Sequence, residues 1–500
     1  MNVKQSKAFS TRYAAAKKWR DGVETDIKDV LTFCANGREN DFTSVQDKVE
    51  ATDIYCSYVE EFATDLASDL VTYFTPSEVR WGEFEVTAAV EQDMADQVET
   101  LVSNREDEVF GLIEASNYYD VAPQVFFEAS SHGTAAMWVE KSHLTQPVFV
   151  EAVTPDELLI TPGHNGHLDR FRERSVIAEF LPATFAGQNV KLDHPEIKKK
   201  ISTPGATAKV CWGFWLDWSE PAVPVWKTEI TVDGKRVTDE EQILGPLAGG
   251  CPLLVGRFNP WSKRPWGRGP GMKALADIFT IDKVNEIVLD NLDAALSPSW
   301  GYPDDGILDM SGGIERNAAY PMRPGTPNAI QKLDLGGNLD YGWFSEERLV
   351  DRLRVAFYQD GPRQRGDTPP SATQWLDEAR RVQRRIGKPS APLWSEMIAP
   401  FIQRVEFIAV QSGIISETIT HAGDKLNVAP ISPLQKAQNQ DKVLTTRSNL
   451  DLAFQTFGEQ VSQVVNVPAT MDNIIKTSGD DLIVLNDPEE TPSEPTPPAA

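Results

Sequence analysis

The sequence predicts an α+β protein, mainly helical, with one β-rich sub-domain at about 148–257. Three observations predict it. Apolar residues recur at helical spacing before residue 120 and again after 270. Between them lie short runs rich in β-branched and aromatic residues, separated by turn residues. At 500 residues the chain is also long enough for two or three domains and a large core.

Residues 8–30 and 43–74 read as helices. In the second, Val49, Ile54, Tyr55, Val59, Phe62, Ala63, Leu66, Leu70 and Val71 keep helical spacing until Pro76. A third helix is expected at about 90–117. The runs QPVFVEAV, ELLIT, SVIAEFL, KVCWGFWLDW and VWKTEITVDGKRVT read as strands, and Asp233-Gly234 is a hairpin turn between two alternating stretches. Six of the 13 tryptophans lie from Trp212 to Trp266, and they are expected in the core of that sheet.

After it, Met272, Leu275, Ile278, Ile281, Val284, Ile287, Val288, Leu292 and Leu296 form one apolar stripe. It predicts a helix over 271–297, ~40 Å long at 1.5 Å per residue, closed by Pro298. Residues 298–344 hold eight glycines and five prolines and read as a compact, turn-rich module. A second helix is expected from Ser345, its N-cap, to about 360. GPRQRGDTPP at 361–370 breaks the chain. The next helix starts near Ser371, with an interruption expected at KPSAP (388–392) and a kink at Pro400. Residues 433–464 read as helical inside a mixed region, and the proline-rich acidic end, 485–500, is expected to be disordered.

The formal charge is −26. That repels nucleic acid at long range, so a protein built to grip DNA is disfavoured, while one past which DNA slides is not. No apolar run approaches the ~18 residues of a membrane span. The first twenty residues lack a signal-peptide core, so a soluble chain made in a cytoplasm is expected. Cys34, Cys56, Cys211 and Cys251 are scattered and read as buried thiols.

The stretch GRGPGMK (Gly267 to Lys273) invites a nucleotide reading, but it lacks the GxxxxGK[ST] spacing that cradles phosphate. A flexible turn before a helix start is the better reading. His164 and His167 read as surface turn histidines, and Asp304-Asp305 as a turn before a strand. HExxH and GxSxG are absent. Neither catalytic residues nor a cofactor or metal are expected.

Several stretches resemble the portal (head-to-tail connector) proteins of short-tailed bacteriophages. RPWGRGPGMKALADIFTIDKVNE is similar to the family's aromatic-Gly-Arg-x-Pro turn and following helix. The matching positions are Trp266, Gly267, Arg268, Gly269 and Pro270, then Leu275, Asp277 and Ile278. YPDDGILD, LASDLVTYFTPSEVRWGEFEV and PPSATQWLDEARRVQRRIGKPSAPLWSEMIAPFIQRV carry further likeness, over about 45–412 in all. SATQ (Ser371 to Gln374) departs from the family's TATE, and Trp266 stands where Tyr is common.

The resemblance implies a ring, usually of twelve copies, at one capsid vertex and assembled in the host cytoplasm. Double-stranded DNA enters through it and later leaves. The implied partners are the terminase large subunit, tail adaptor or nozzle proteins, and the major capsid and scaffold proteins. It implies a wing at 1–270, stem helices at 271–297 and 345–360, and a clip at 298–344. A tunnel loop at 361–370 would bring Arg363, Gln364 and Arg365 to the DNA. A kinked wing or crown helix would follow at 371–412, then a crown at 413–484. From Ser345 to Lys388 there are ten Lys/Arg against seven Asp/Glu. The helical arginines among them are expected to pair between neighbouring subunits. The competing readings are a metal-dependent nucleic-acid enzyme and a structural or scaffold protein of another kind.

Overall fold

The computed structural model describes residues 6–42, 54–77, 80–86, 95–142, 147–186, 188–296, 300–301, 331–332, 339–359 and 385–415, with short pieces from 420 to 474. Helices and antiparallel sheets occupy separate layers, an α+β arrangement.

Helix α1 (Lys7–Asp21) opens at Ser6, whose hydroxyl accepts from the Phe9 amide at 3.0 Å. Helix α2 (Glu24–Cys34) follows at once. The single helix expected at 8–30 is therefore two. Gly22 and Val23 donate to Lys18 and Arg20 carbonyls, and Val23 leaves helical backbone angles. Helix α3 (Tyr58–Phe74) is the described part of the helix expected at 43–74; residues 54–57 are not helical. Strand β1 (Phe84–Val86) precedes α4 (Ala95–Glu114) and α5 (Tyr118–Ser131).

The sheet layer begins earlier than expected, at β2 (Thr134–Lys141), followed by β3 (Val148–Ala152), β4 (Leu158–Pro162) and β5 (Leu168–Ile177). Two short helices, α6 (Leu181–Thr184) and α7 (Pro195–Ile201), lead into β6 (Thr207–Asp217) and β7 (Val225–Val232). Strands β8 (Lys235–Arg236), β9 (Gln242–Pro246) and β10 (Leu253–Arg257) complete it. The expected hairpin is present: Asp233 and Gly234 both have positive φ, 48° and 73°, and Val232 pairs with Lys235.

These strands make two sheets. One has the order β10-β2-β3. The other runs β4-β5-β6-β7-β8, with β9 also on β7. Period-two alternation assigns each face. From β2, Ala135, Met137 and Val139 face the helical core, while Ala136 and Trp138 face the other sheet. From β6, Val210, Trp212, Phe214 and Leu216 fill the space between the sheets, while Cys211 and Trp215 face Phe9 of α1. Gly213 gives that ring its seat, since a Cβ there would lie 2.6 Å from Phe9. Four of the six tryptophans expected in the core are buried: Trp212, Trp215, Trp226 and Trp266. All four cysteines are buried free thiols.

Helix α8 (Pro270–Leu296) matches its predicted position within one residue. Helix α9 (Leu339–Ala356) starts six residues before the expected Ser345 cap and ends earlier than 360. Before it, β11 (Trp300–Gly301) pairs with β12 (Gln331–Lys332) across the turn-rich module. No break occurs at KPSAP: residues 385–393 are helical, a five-residue π-turn spans Trp394–Ile398, and α10 (Ala399–Gln411) continues. Leu393, Met397 and Ile398 are fully buried, and that packing holds the helix through two prolines. The π-turn sits just before Pro400 and relieves the clash its ring would make with the carbonyl four residues back. Arg404 of α10 ties the layers together. Its guanidinium donates to Val139, Gly249 and Gly250 carbonyls at 3.0–3.2 Å, and burial holds its pKa down at about 10.

Beyond α10, β13 (Thr420–His421) pairs with β14 (Asp424–Lys425), and β15 (Val428–Pro430) pairs with β1. Residues 446–451 are helical. The remainder of 433–464, the loop 361–370, and the end 485–500 lie outside the described residues. None of the described helices is long and apolar enough to cross a membrane.

Candidate functional site

The chain runs from β10 through a turn at 258–269 into α8. That turn lies directly on the α5–β2 junction. Gly133, with φ +99°, accepts from the Phe258 amide at 2.8 Å. Phe258 in turn accepts from the Arg268 amide at 2.8 Å. Gly267 donates to the Thr134 hydroxyl at 2.9 Å, and Gly269 to the His132 carbonyl at 3.1 Å.

The glycines are required by contact between two backbones. A Cβ on Gly267 would lie 1.9 Å from the Gly133 oxygen, and one on Gly269 would lie 2.5 Å from the Ser131 oxygen. The turn is thus tightly packed rather than flexible, a correction to the sequence reading. The amides of 267, 268 and 269 are all donated to protein acceptors, so none is left to cradle a phosphate.

The other motif residues have separate tasks. Pro270 occupies the first helical position, where its missing amide costs nothing. Trp266 is buried with its ring 6.4 Å from that of His132, and its indole nitrogen has no hydrogen-bond partner among the described residues. Leu275 packs at the edge of the helical core and Ile278 is fully buried in it. Asp277 pairs with Arg352 of α9 at 2.8 Å, so α8 and α9 are held together by a salt bridge on their flank. Arg352 thus has a partner inside its own chain. Arg385 likewise donates to the Val355 carbonyl. Arg363, Gln364 and Arg365 lie outside the described residues.

Beneath the turn is a buried charged cluster that sequence reasoning missed. His132 accepts from the Thr134 amide at Nδ1, so its Nε2–H donates to Glu128, 2.9 Å away. Arg38 binds the other Glu128 oxygen at 2.6 Å and also Asp41. Burial pushes the Glu128 pKa up, but the bonds from His132 and Arg38 outweigh it and leave it below the ordinary 4.5. The only sequence trace was Glu128 and His132 four residues apart before a glycine. His164 and His167 lie against Trp218 at 5.1 and 5.7 Å. Among the described residues no group of three or more His, Cys, Asp or Glu is placed to hold a metal.

Two solved structures overlap the chain loosely. A chain of "Virion of native gene transfer agent (GTA) particle" is 13% identical, with 79% of this chain and 89% of that one covered and a TM-score of 0.34. A chain of "Neck of empty GTA particle computed with C6 symmetry" is 12% identical, with 75% and 84% covered and a TM-score of 0.33. No curated protein matches the sequence. The family model for bacteriophage head to tail connecting protein, by contrast, matches residues 6–212 and 226–485. With nearly its whole length matched, the chain belongs to the bacteriophage head-to-tail connecting proteins.

Proposed function

We propose that this chain is the subunit of a portal ring at one capsid vertex, of twelve copies if it follows the family. The genome would be packaged and ejected through it. In this reading the body to residue 270 is the wing, α8 and α9 are the stem, and 298–344 is the clip. The clip would meet the terminase large subunit first and tail adaptor or nozzle proteins later. Residues 361–370 would form the tunnel loop, and 413–484 the crown. The ring would sit in the virion at the head–tail junction, after assembly in the host cytoplasm with capsid and scaffold proteins. No enzymatic step is part of it.

One observation carries this reading. Only the first half of α8 packs into the core, where Ala274, Ile278 and Ile281 are buried. Past Ile281, Ile287, Leu289 and Leu292 are 44–50% exposed on different sides of the helix. A helix apolar on several sides needs cover on several sides. Cyclic repetition supplies it, because each copy then meets its neighbours through two different surfaces.

The test is negative-stain imaging with native mass measurement of the purified protein. A ring with a central hole is expected. A monomer across a wide concentration range would end the proposal.

A further inference from the structure

A cleft of about 1000 Å³ opens where the end of α1, the start of α2, the 261–268 turn and the first turns of α8 meet. Its charge is opposite to that of the chain. Lys18, Arg264, Arg268 and Lys273 line it, against Asp26 alone. None of the four cations is in an ion pair among the described residues. Many other basic side chains are matched, as in Arg12–Asp169, Arg172–Glu151 and Arg257–Glu396. In a chain of net charge −26, four cations around one concavity with a single acid beside them are a local reversal of charge.

The cleft is also aromatic. Arg264 and Arg268 both lie over the ring of Trp261, at 5.3 and 4.8 Å. Trp261 is nevertheless 46% exposed, and Trp19 and Phe279 are exposed beside it. Tryptophan and arginine in a concavity are the composition of protein-interface hot spots. Duplex DNA fits less well. It offers phosphates to the cations, but its base faces are stacked inside and give the aromatic rings nothing to cover.

The complementary surface is on the same chain. Helix α3 has no Lys or Arg in 17 residues. Its outward face carries Glu60, Glu61 and Asp65, all exposed, and none is in an ion pair among the described residues. We propose that the cleft receives the acidic face of α3 from a second copy of this chain. This rests on the ring reading above and names one of its contacts. A contact between two different surfaces is the kind that closes into a ring.

Two variants test it, R264E/R268E in the cleft and E61K/D65K on α3. Each alone sets like charges face to face and is expected to lose the ring while keeping the parent's circular dichroism. An equimolar mixture is expected to regain rings, because each altered surface then meets an opposite charge on the other variant. Recovery on mixing also shows that neither variant is merely misfolded. If either variant assembles alone, or the mixture stays monomeric, the proposal is overturned. If cleft-variant rings keep their mass but retain less DNA, the cleft serves nucleic acid and the proposal is likewise overturned. A parent protein that forms no ring would instead remove the ring reading itself.

Discussion

Replacing Gly267 with alanine adds one methyl group where two backbones touch. Gly267 does not have positive φ, so alanine is allowed there by its own backbone, and any cost comes from contact. The added Cβ would lie 1.9 Å from the Gly133 oxygen and 2.9 Å from the Phe258 oxygen. Both are backbone atoms that no rotamer change can remove. The two segments must separate, and three hydrogen bonds cross the gap or lean on it. They are Gly267 to Thr134 at 2.9 Å, Phe258 to Gly133 at 2.8 Å and Arg268 to Phe258 at 2.8 Å.

At about 1 kcal/mol net for each hydrogen bond, the expected loss is roughly 3 kcal/mol. With a slope of about 3 kcal/mol per molar urea, the unfolding midpoint falls by roughly 1 M. The control is Gly111→Ala on α4, where a Cβ meets nothing within 4 Å. That change should stabilise by about 0.5–1 kcal/mol, since glycine is a poor helix former. The assay is urea unfolding of both variants followed by circular dichroism. If Gly267→Ala shifts the midpoint no further than the control does, the turn yields easily and backbone contact is not what requires its glycines.

Two further outcomes follow from the same structure and a third from the proposed ring. Phe9→Ala empties the seat between Phe171, Gly213 and Trp215 and should cost about 3–5 kcal/mol in the same urea assay. Glu128 has a folded pKa below 4.5, so its stabilisation is present above that value and is lost as pH falls through the folded pKa. Glu128→Gln should therefore be less stable than the parent at neutral pH, with the gap closing under acid; a gap constant from pH 7 to pH 3 refutes the assignment. In the proposed tunnel loop, Arg363→Ala/Arg365→Ala should leave the ring intact and lower DNA retention modestly, more at low salt than at high. Loss of the ring would make these two arginines interface residues.

What the sequence could show depended on whether a signal was local. Helix α8 was legible because its apolar stripe repeats through seven turns and Pro298 punctuates its end. The Asp233-Gly234 hairpin was legible because two residues alone determine it. Strand β2 was not, because it is buried on both faces by different layers and shows no alternation to read. The helix through 388–392 was hidden for the opposite reason: the local signal was strong and wrong. Two prolines argued for a break, and the burial of Leu393, Met397 and Ile398 overruled them.

The glycine turn shows where such reading ends. GRGPG lacks the spacing of a phosphate cradle, but it suits a loose hinge and a close backbone contact alike, since each needs residues without a Cβ. What separates the two is the destination of the amide hydrogens. Those of 267 and 269 go to Thr134 and His132, more than 130 positions earlier in the chain. Spacing within a motif carries no trace of a partner so distant. Gly133, the residue that closes the contact, looks like an ordinary helix stop after His132. The same logic applies to the cleft above the turn. Arg264 and Arg268 read in sequence as part of a family motif, and only the fold sets them on Trp261, with no carboxylate paired to either among the described residues. A cluster of cations gathered from distant parts of the chain is a property of the fold, and in the proposed ring a second copy would supply the opposite charge.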